Sequence, residues 1–489
     1  MKHRTKNTTL SSYVILMSCL LLLTAGCKKG FLEQESRTTI TSETQWGVET
    51  SADLYLTDIY HNLNNMSQTP DPLDSYTDDN DGGPYWASWN WRQGIVDPST
   101  RGGTPLNNDE SANGFTNWQS VYAKIRKCNT FIKEVEAHAA NFSPEYTNKR
   151  IDEARFLRAF YYAYLWMHVG GVAIITVPQD RNTNTAEELY KSRSTFEETF
   201  NFIDQELAGI VENKYLASKY SFGANDAGRA TIGAALGLKG WIELYAASPA
   251  FNAPTPAVGA DPNNFVSFKT ADNARYAKAA ATNKQFIDQL GGTYGLFPDL
   301  GNLWAESNEY NAEIIWDRQL IRNGENGMGG DFLQYGGPVY IQGAYYTWGN
   351  YNPTQELVDE FKTDQGLHIT DPASNYDPQH PYLHREKRFY DFIVYDGAPY
   401  KMNWMTTPDV IYTRIDKVNP SKNEIDFATS DVSNTAYYFR KRINPDVRPA
   451  FGVDGANYVY MRYAEVLLNY AEAQNEAAGP DGSVYAALN

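Results

Sequence analysis

Residues 153–176 read EARFLRAFYYAYLWMHVGGVAIIT. Ala154, Leu157, Tyr161, Tyr164, Leu165 and His168 recur at steps of three and four, the spacing of one helix face. Further rings fill the positions between them, so the predicted helix is apolar on more than one side and packs between neighbours. Gly170-Gly171 is a good helix stop. His168, next to that stop, suits packing or a favourable charge at a helix C-terminus. Arg155 and Arg158 suit structural ion pairs.

The same period recurs on both sides of this block. Ala52, Leu56, Ile59 and Leu63 carry it, as do Trp118, Tyr122, Ile125, Asn129 and Ile132. Phe196, Phe200, Ile203, Leu207 and Ile210 follow, then Ala234, Leu238, Trp241 and Tyr245. Tyr276, Asn283, Phe286 and Leu290 form a weaker block, and Tyr460, Tyr463, Leu467 and Tyr470 the last. Gly233, Ala234, Ala235, Gly237 and Gly240 let one of these helices be approached from two sides. The expected fold is mainly α: stacked, tetratricopeptide-like helix pairs, without a clean 34-residue sequence repeat. Between the blocks lie 67–114, 248–271 and 295–456, too long for simple connections. They predict irregular, loop-rich insertions with little β structure, the usual carriers of function on a rigid scaffold.

The chain has 489 residues and a formal net charge of −17. Its first 26 residues hold Lys2, Arg4 and Lys6 and no acid, so the remainder stands at −20. That disfavours nucleic acid and anionic membrane surfaces as partners. MKHRTK followed by YVILMSCLLLLTAG and Cys27 reads as a signal peptide over 1–26, too short for a spanning helix. Ala25-Gly26 before Cys27 resembles a bacterial lipobox, with Thr24 where Leu is more usual; Cys27 is the predicted lipidation site. Cys19 is a rival site inside the apolar run, and an ordinary secretory signal is the alternative. Cys128 is then the remaining thiol, expected to be buried, inert and outside any disulfide.

Residues 85–94, YWASWNWRQG, place Tyr85, Trp86, Trp89 and Trp91 beside Asn90, Arg92 and Gln93 in a segment without helix or strand pattern. A sugar offers a C–H face to a ring and a rim of hydroxyls to amides and guanidinium groups. The competing reading is that the rings pin loops onto the helical body. GGPVYIQGAYYTWGNYNPTQ (336–355) is a second cluster of Tyr, Trp and Gly.

Metal and catalytic patterns are weaker. TDDNDGG (77–83) resembles half a calcium loop, but the twelfth position from Thr77 is Ser88, so a solvated acidic turn is expected. His380 and His384, with Glu386 near, could grip zinc if they shared a helix; a surface loop is favoured. Glu465, Glu472, Glu476 and Arg462 read as structural pairs and solvated face. No Walker loop, dinucleotide fingerprint or nucleophile elbow occurs, and no spacing singles out a glycosidase pair among 59 acids. No metal and no cofactor is implied. Ser483 is the expected cap of a last helix that meets no stop signal, as in a chain truncated at its C-terminus.

Several blocks resemble the SusD/RagB family of surface glycan-binding lipoproteins: CKKGFLE (27–33), WQSVYAKIRKCNTFI (118–132), the opening block, GRATIGAALGLKGWIELYAASPAF (228–251), NAEIIW (311–316), PTQELVDEF (353–361) and YVYMRYAEVLLNYAEAQNE (458–476). HREKRFY (384–390) departs from the family's Arg-Asp-Pro-Arg, and its final helical segment is missing. The resemblance implies a right-handed superhelix, with 27–294 as an N-terminal helical region and 295–489 as a C-terminal one. It implies a protein anchored to the outer membrane that passes oligosaccharide to a SusC-type TonB-dependent transporter, without catalysis. It also implies an aromatic arc drawing on two loops, here Tyr85, Trp86, Trp89 and Trp91 with Asn90 and Arg92, and Tyr340, Tyr345, Tyr346, Trp348 and Tyr351. The alternatives are a membrane-tethered helical glycoside hydrolase or lyase, and a surface lipoprotein with a peptide or protein ligand.

Overall fold

A computed structural model describes residues 42–61, 63, 73–82, 93–94, 118–253, 261–322, 330–414, 433–450 and 454–489, with backbone alone for 73 and 330–332. The principal helices are α1 (Glu49–His61), α2 (Trp118–Ala137), α3 (Pro144–Val169), α4 (Phe196–Asn213), α5 (Ile232–Ala247), α6 (Ala274–Leu290), α7 (Tyr463–Ala478) and α8 (Gly482–Leu488). Each packs on the helix before it and the helix after it. That serial stacking is the tetratricopeptide-like arrangement, and the fold is mainly α.

α3 starts at Ser143, whose side chain accepts the Tyr146 N–H at 3.2 Å, with Pro144 in the first turn. It ends at Gly170, whose φ of 79° and N–H bond to Trp166 O (2.9 Å) close the last turn. A Cβ at Gly170 would fall 2.1 Å from Phe265 O. α4 opens with a capping box between Thr195 and Glu198. Between these ends α3 is buried almost all round, from Phe156 to Trp166. At about 1.5–3 kcal/mol for each large apolar side chain removed from water, this helix is the main organiser of the core.

The charges of α3 are paired, as its sequence suggested. Arg158 donates to Glu206 of α4 at 2.5 Å and to Asn129 Oδ1 of α2 at 2.8 Å. Arg155 joins Asp152 and Glu206. Arg150 bridges Glu153, Asp53 and Asp226, and Arg229 reaches Glu153 at 3.1 Å. His168 is held below its ordinary pKa by burial, so its place is packing rather than charge.

The described β structure is five two-stranded antiparallel sheets. β2 (Ile314–Arg318) pairs with β10 (Tyr458–Arg462), which runs directly into α7. The long excursion between them therefore leaves and returns at one place. Trp316 fastens that place to α3: its ring meets Phe156 and Phe160 edge-on at 4.8 and 5.0 Å and stacks on Tyr460.

The excursion is less irregular than its sequence suggested. It holds a second apolar core that includes Leu333, Val339, Ile341, Tyr351, Tyr400, Ile411 and Tyr438. Around it lie β1 (Asn80–Gly82) with β5 (Tyr351–Pro353), β3 (Tyr340–Ile341) with β4 (Ala344–Tyr345), β6 (Ile393–Val394) with β9 (Tyr438–Phe439), and β7 (Ala398–Tyr400) with β8 (Asp409–Ile411). One cap was misassigned by pattern. α8 is capped by Asp481, which accepts from the N–H groups of Ser483 and Val484 at 2.8 and 3.1 Å, and not by Ser483.

Candidate ligand-binding site

The second aromatic cluster is built on a tight hairpin. Gln342 and Gly343, at φ 52° and 74°, form the two-residue turn between β3 and β4. Positive φ at both central residues matches the right-handed strand twist. The turn is anchored: the Gln342 side-chain amide donates to Thr407 O and Oγ1, both at 2.9 Å, and its backbone N–H to Asp409 Oδ2. Tyr340 and Tyr345 are cross-strand partners with rings 5.8 Å apart in an edge contact.

From this hairpin the predicted rings take different positions. Tyr345 is 44% exposed and is the most open of them. Tyr346 is half-buried; its ring lies 5.8 Å from Trp404, and the Arg448 guanidinium covers it at 4.6 Å and donates to its hydroxyl. Trp348 is half-buried against Tyr335, with centroids 4.5 Å apart. Tyr351 corrects the expectation. It is fully buried in the second core, beside Tyr335, and offers no face to a ligand. The cause is β5, where Tyr351 pairs with Gly82 and all three residues are enclosed.

That pairing involves the residues just before the first aromatic stretch in sequence. β1 and β5 align Asn80 with Pro353 and Gly82 with Tyr351. Asn80 Oδ1 accepts the Asn352 N–H at 3.0 Å, and its amide donates to Asp74 and Ser75. Thr354 N–H donates to Asp79 O at 3.0 Å. Asn80, within the TDDNDGG turn, is thus buried, while Asp78 and Asp79 remain exposed. Tyr85, Trp86, Trp89, Asn90, Trp91 and Arg92 lie outside the described residues, as do Cys19 and Cys27.

The histidine pair does not share a helix. Residues 380–384 form turns, with His384 at φ 57°; His380 Nδ1 meets Asp377 at 2.7 Å and His384 Nδ1 meets Asp364 at 3.2 Å. Among the described residues no group of three or more His, Cys, Asp or Glu could hold a metal. In the HREKRFY block the buried Arg385 donates to Val358 O and Phe361 O at 2.5 and 2.7 Å and locks that loop. Sequence reasoning missed Trp404 and Arg448 as companions of Tyr346. Each is distant in the chain from the hairpin, and neither sits in a motif.

Comparison with known proteins comes from both ends of the chain. Residues 312–489 match the profile of the SusD family, and residues 30–215 match a profile described as starch-binding, associating with the outer membrane. A SusD-like protein from Bacteroides fragilis has a similar structure, with 25% identity and a TM-score of 0.67 over 92% of this chain and 79% of that one. A SusD-like carbohydrate-binding protein from the same organism gives 22% and 0.65 over 89% and 75%. Surface glycan-binding protein A from Bacteroides uniformis gives 18% and 0.58 over 90% and 79%. A search of curated proteins found no match.

Proposed function

The chain belongs to the SusD/RagB family, and from that premise we propose that it is a glycan-binding protein of the bacterial cell surface that captures oligosaccharide without catalysing a reaction on it. It is held in the outer membrane by a lipid on Cys27 after removal of residues 1–26, and it delivers its ligand to a SusC-type TonB-dependent transporter. Residues 27–294 form the N-terminal helical region and 295–489 the C-terminal one.

One observation carries the site assignment: β1 and β5 pair Gly82 with Tyr351. Three residues after Gly82 the sequence reaches Tyr85 and the run of tryptophans, and Tyr345, Tyr346 and Trp348 lie just before Tyr351. In sequence, two aromatic stretches more than 250 residues apart therefore flank the two strands of one small sheet. Exposed Tyr345 supplies an accessible ring, and Trp86, Trp89 and Trp91 supply the others, with Asn90 and Arg92 for the hydroxyl rim. Half-buried Tyr346 and Trp348 add their accessible edges to the same site.

Affinity electrophoresis of the mature protein against a panel of polysaccharides tests this reading, with product analysis run alongside. Retardation by at least one glycan, reduced in a Trp86→Ala/Trp89→Ala/Trp91→Ala variant, is expected. Retardation by none, or reproducible release of products, would overturn it.

A further inference from the structure

The start of α2 and the segment after α3 carry an aromatic cleft lined by residues outside both loops above. The stripe that begins at Trp118 does not stay in the core. Val121, Ile125, Cys128 and Phe131 are buried, whereas Trp118 is 41% exposed and Tyr122 half-buried. Their rings stand 5.0 Å apart. Opposite them run the extended segment 173–179 and the short helix Ala186–Leu189, which ends in Tyr190. These parts enclose a cleft of about 490 Å³, within the range of about 300–1,000 Å³ usual for small-molecule sites. Three large apolar side chains that are conspicuously exposed converge on it: Trp118, Val177 at 60% and Tyr190 at 83%.

The walls are firm. Tyr122 donates its hydroxyl proton to Ala173 O at 2.6 Å, and Arg126 donates to Gln179 O at 2.5 Å. A capping box between Thr185 and Glu188 fixes the short helix that presents Tyr190. Charge distinguishes the cleft from the rest of the molecule. The chain carries 59 acidic residues against 42 basic ones, yet the described residues lining the cleft include Arg126 and Lys191 and no acid. Glu188, three residues from Lys191, feels that ammonium group and also accepts the Thr185 N–H at 2.8 Å, so Lys191 is shared between this carboxylate and the cleft.

We propose that this cleft is a second saccharide site, selective for a sugar unit that bears a carboxylate. Trp118 and Tyr190 take the C–H faces of the sugar, and Lys191 and Arg126 take its anionic group. In an acidic protein, a cationic aromatic cleft lowers the energy of an anionic ligand that the remaining surface repels. The inference rests on the glycan-binding reading and extends it to a site lined by residues outside the tryptophan loop.

Calorimetry with trigalacturonate, and with the neutral galactotriose as control, separates the possibilities on the full mature chain. The wild type is expected to bind trigalacturonate and to prefer it over the neutral trisaccharide, with affinity falling as salt rises. Trp118→Ala should weaken binding roughly tenfold or more. Tyr190→Ala should weaken it too, and its side chain is too exposed for the change to disturb folding. Lys191→Gln should cost up to about fivefold. The Trp86→Ala/Trp89→Ala/Trp91→Ala variant should bind trigalacturonate as the wild type does, even where its retardation by neutral polysaccharide is lost. The proposal fails if trigalacturonate does not bind. It also fails if binding survives both Trp118→Ala and Tyr190→Ala, or is abolished by the triple variant alone. Failure of the platform reading shows instead as unchanged polysaccharide retardation in the triple variant.

Discussion

The side-chain oxygen of Asn80 accepts the backbone N–H of Asn352 at 3.0 Å, joining segments 272 residues apart. The Asn80 amide is also engaged, by Asp74 Oδ1 at 3.2 Å and Ser75 Oγ at 3.0 Å, and the residue is 1% exposed. Asn80→Ala removes all three bonds and strands a buried N–H. The expected loss is about 1–3 kcal/mol per stranded group. A lower thermal midpoint, together with weaker retardation by glycan in affinity gels, would show that this tie positions the aromatic loops. A lower midpoint with unchanged retardation would show that it is only structural.

Tyr345 and Tyr351 make a matched pair for separating binding from folding. Tyr345 is 44% exposed and Tyr351 fully buried. Tyr345→Ala should leave the melting temperature within experimental error and weaken glycan retardation. Tyr351→Ala should cost about 3–5 kcal/mol through the cavity it opens, visible as a large fall in melting temperature. If Tyr345→Ala binds like the wild type, the hairpin ring does not belong to the platform.

The contrast between these tyrosines shows what was legible in the sequence. Helix positions follow from local period and local caps, so the blocks at 52–63, 154–168 and 196–210 could be found by spacing alone. Tyr351 could not be told from Tyr345, because its burial comes from β1, far away in the chain, and from the second core. Trp118 kept its period but not its burial: packing on α1 and α3, a tertiary matter, decides which flank of α2 is covered. Asp481 took the cap expected of Ser483: both residue types cap helices, the two stand two positions apart, and only geometry chooses between them.

Arg158 tests the reading of the α3 charges as structural. Its side chain is 8% exposed and serves Glu206 and Asn129 together. Arg158→Ala leaves a largely buried carboxylate without its main partner and should destabilise by about 3–5 kcal/mol. Arg158→Lys should recover only part of that, because a lysine cannot fork between two acceptors in the same plane. Chemical denaturation of the three proteins measures the order. Equal stabilities would mean that Glu206 finds other partners.

The two cysteines have opposite expectations. Cys27→Ser should release the protein from the membrane fraction of the native host and abolish incorporation of labelled palmitate. Cys128 is fully buried, and burial pushes its thiol up to about 12. In the folded mature protein a thiol reagent should therefore leave Cys128 unmodified, and denaturant should expose it. Rapid labelling of Cys128 under native conditions would contradict its place in the core.

Asp317 gives the fold a pH dependence opposite in sign to that of a salt-bridged acid. It sits in β2, 2% exposed, and burial pushes its carboxyl up to about 6 despite the Asn457 amide at 3.1 Å and the influence of Lys219. In the unfolded chain an aspartate ionises near pH ~3.9. Between those values the folded state holds a proton that the unfolded state has lost, so stability falls as pH rises. Its favourable contribution is complete below the unfolded value and is lost as pH passes the folded one, a difference on the order of 3 kcal/mol. Asp454, at about 6, and Glu309, at about 7, act in the same direction. Lys219, lowered to about 8, works at higher pH: raising pH from 8 towards the ordinary lysine value stabilises the fold. Melting temperatures of the wild type and Asp317→Asn, taken from pH 4 to 7, isolate the first effect. The wild-type curve should fall relative to that of the variant over that range, and parallel curves would mean that Asp317 keeps an ordinary carboxylate pKa in the folded protein.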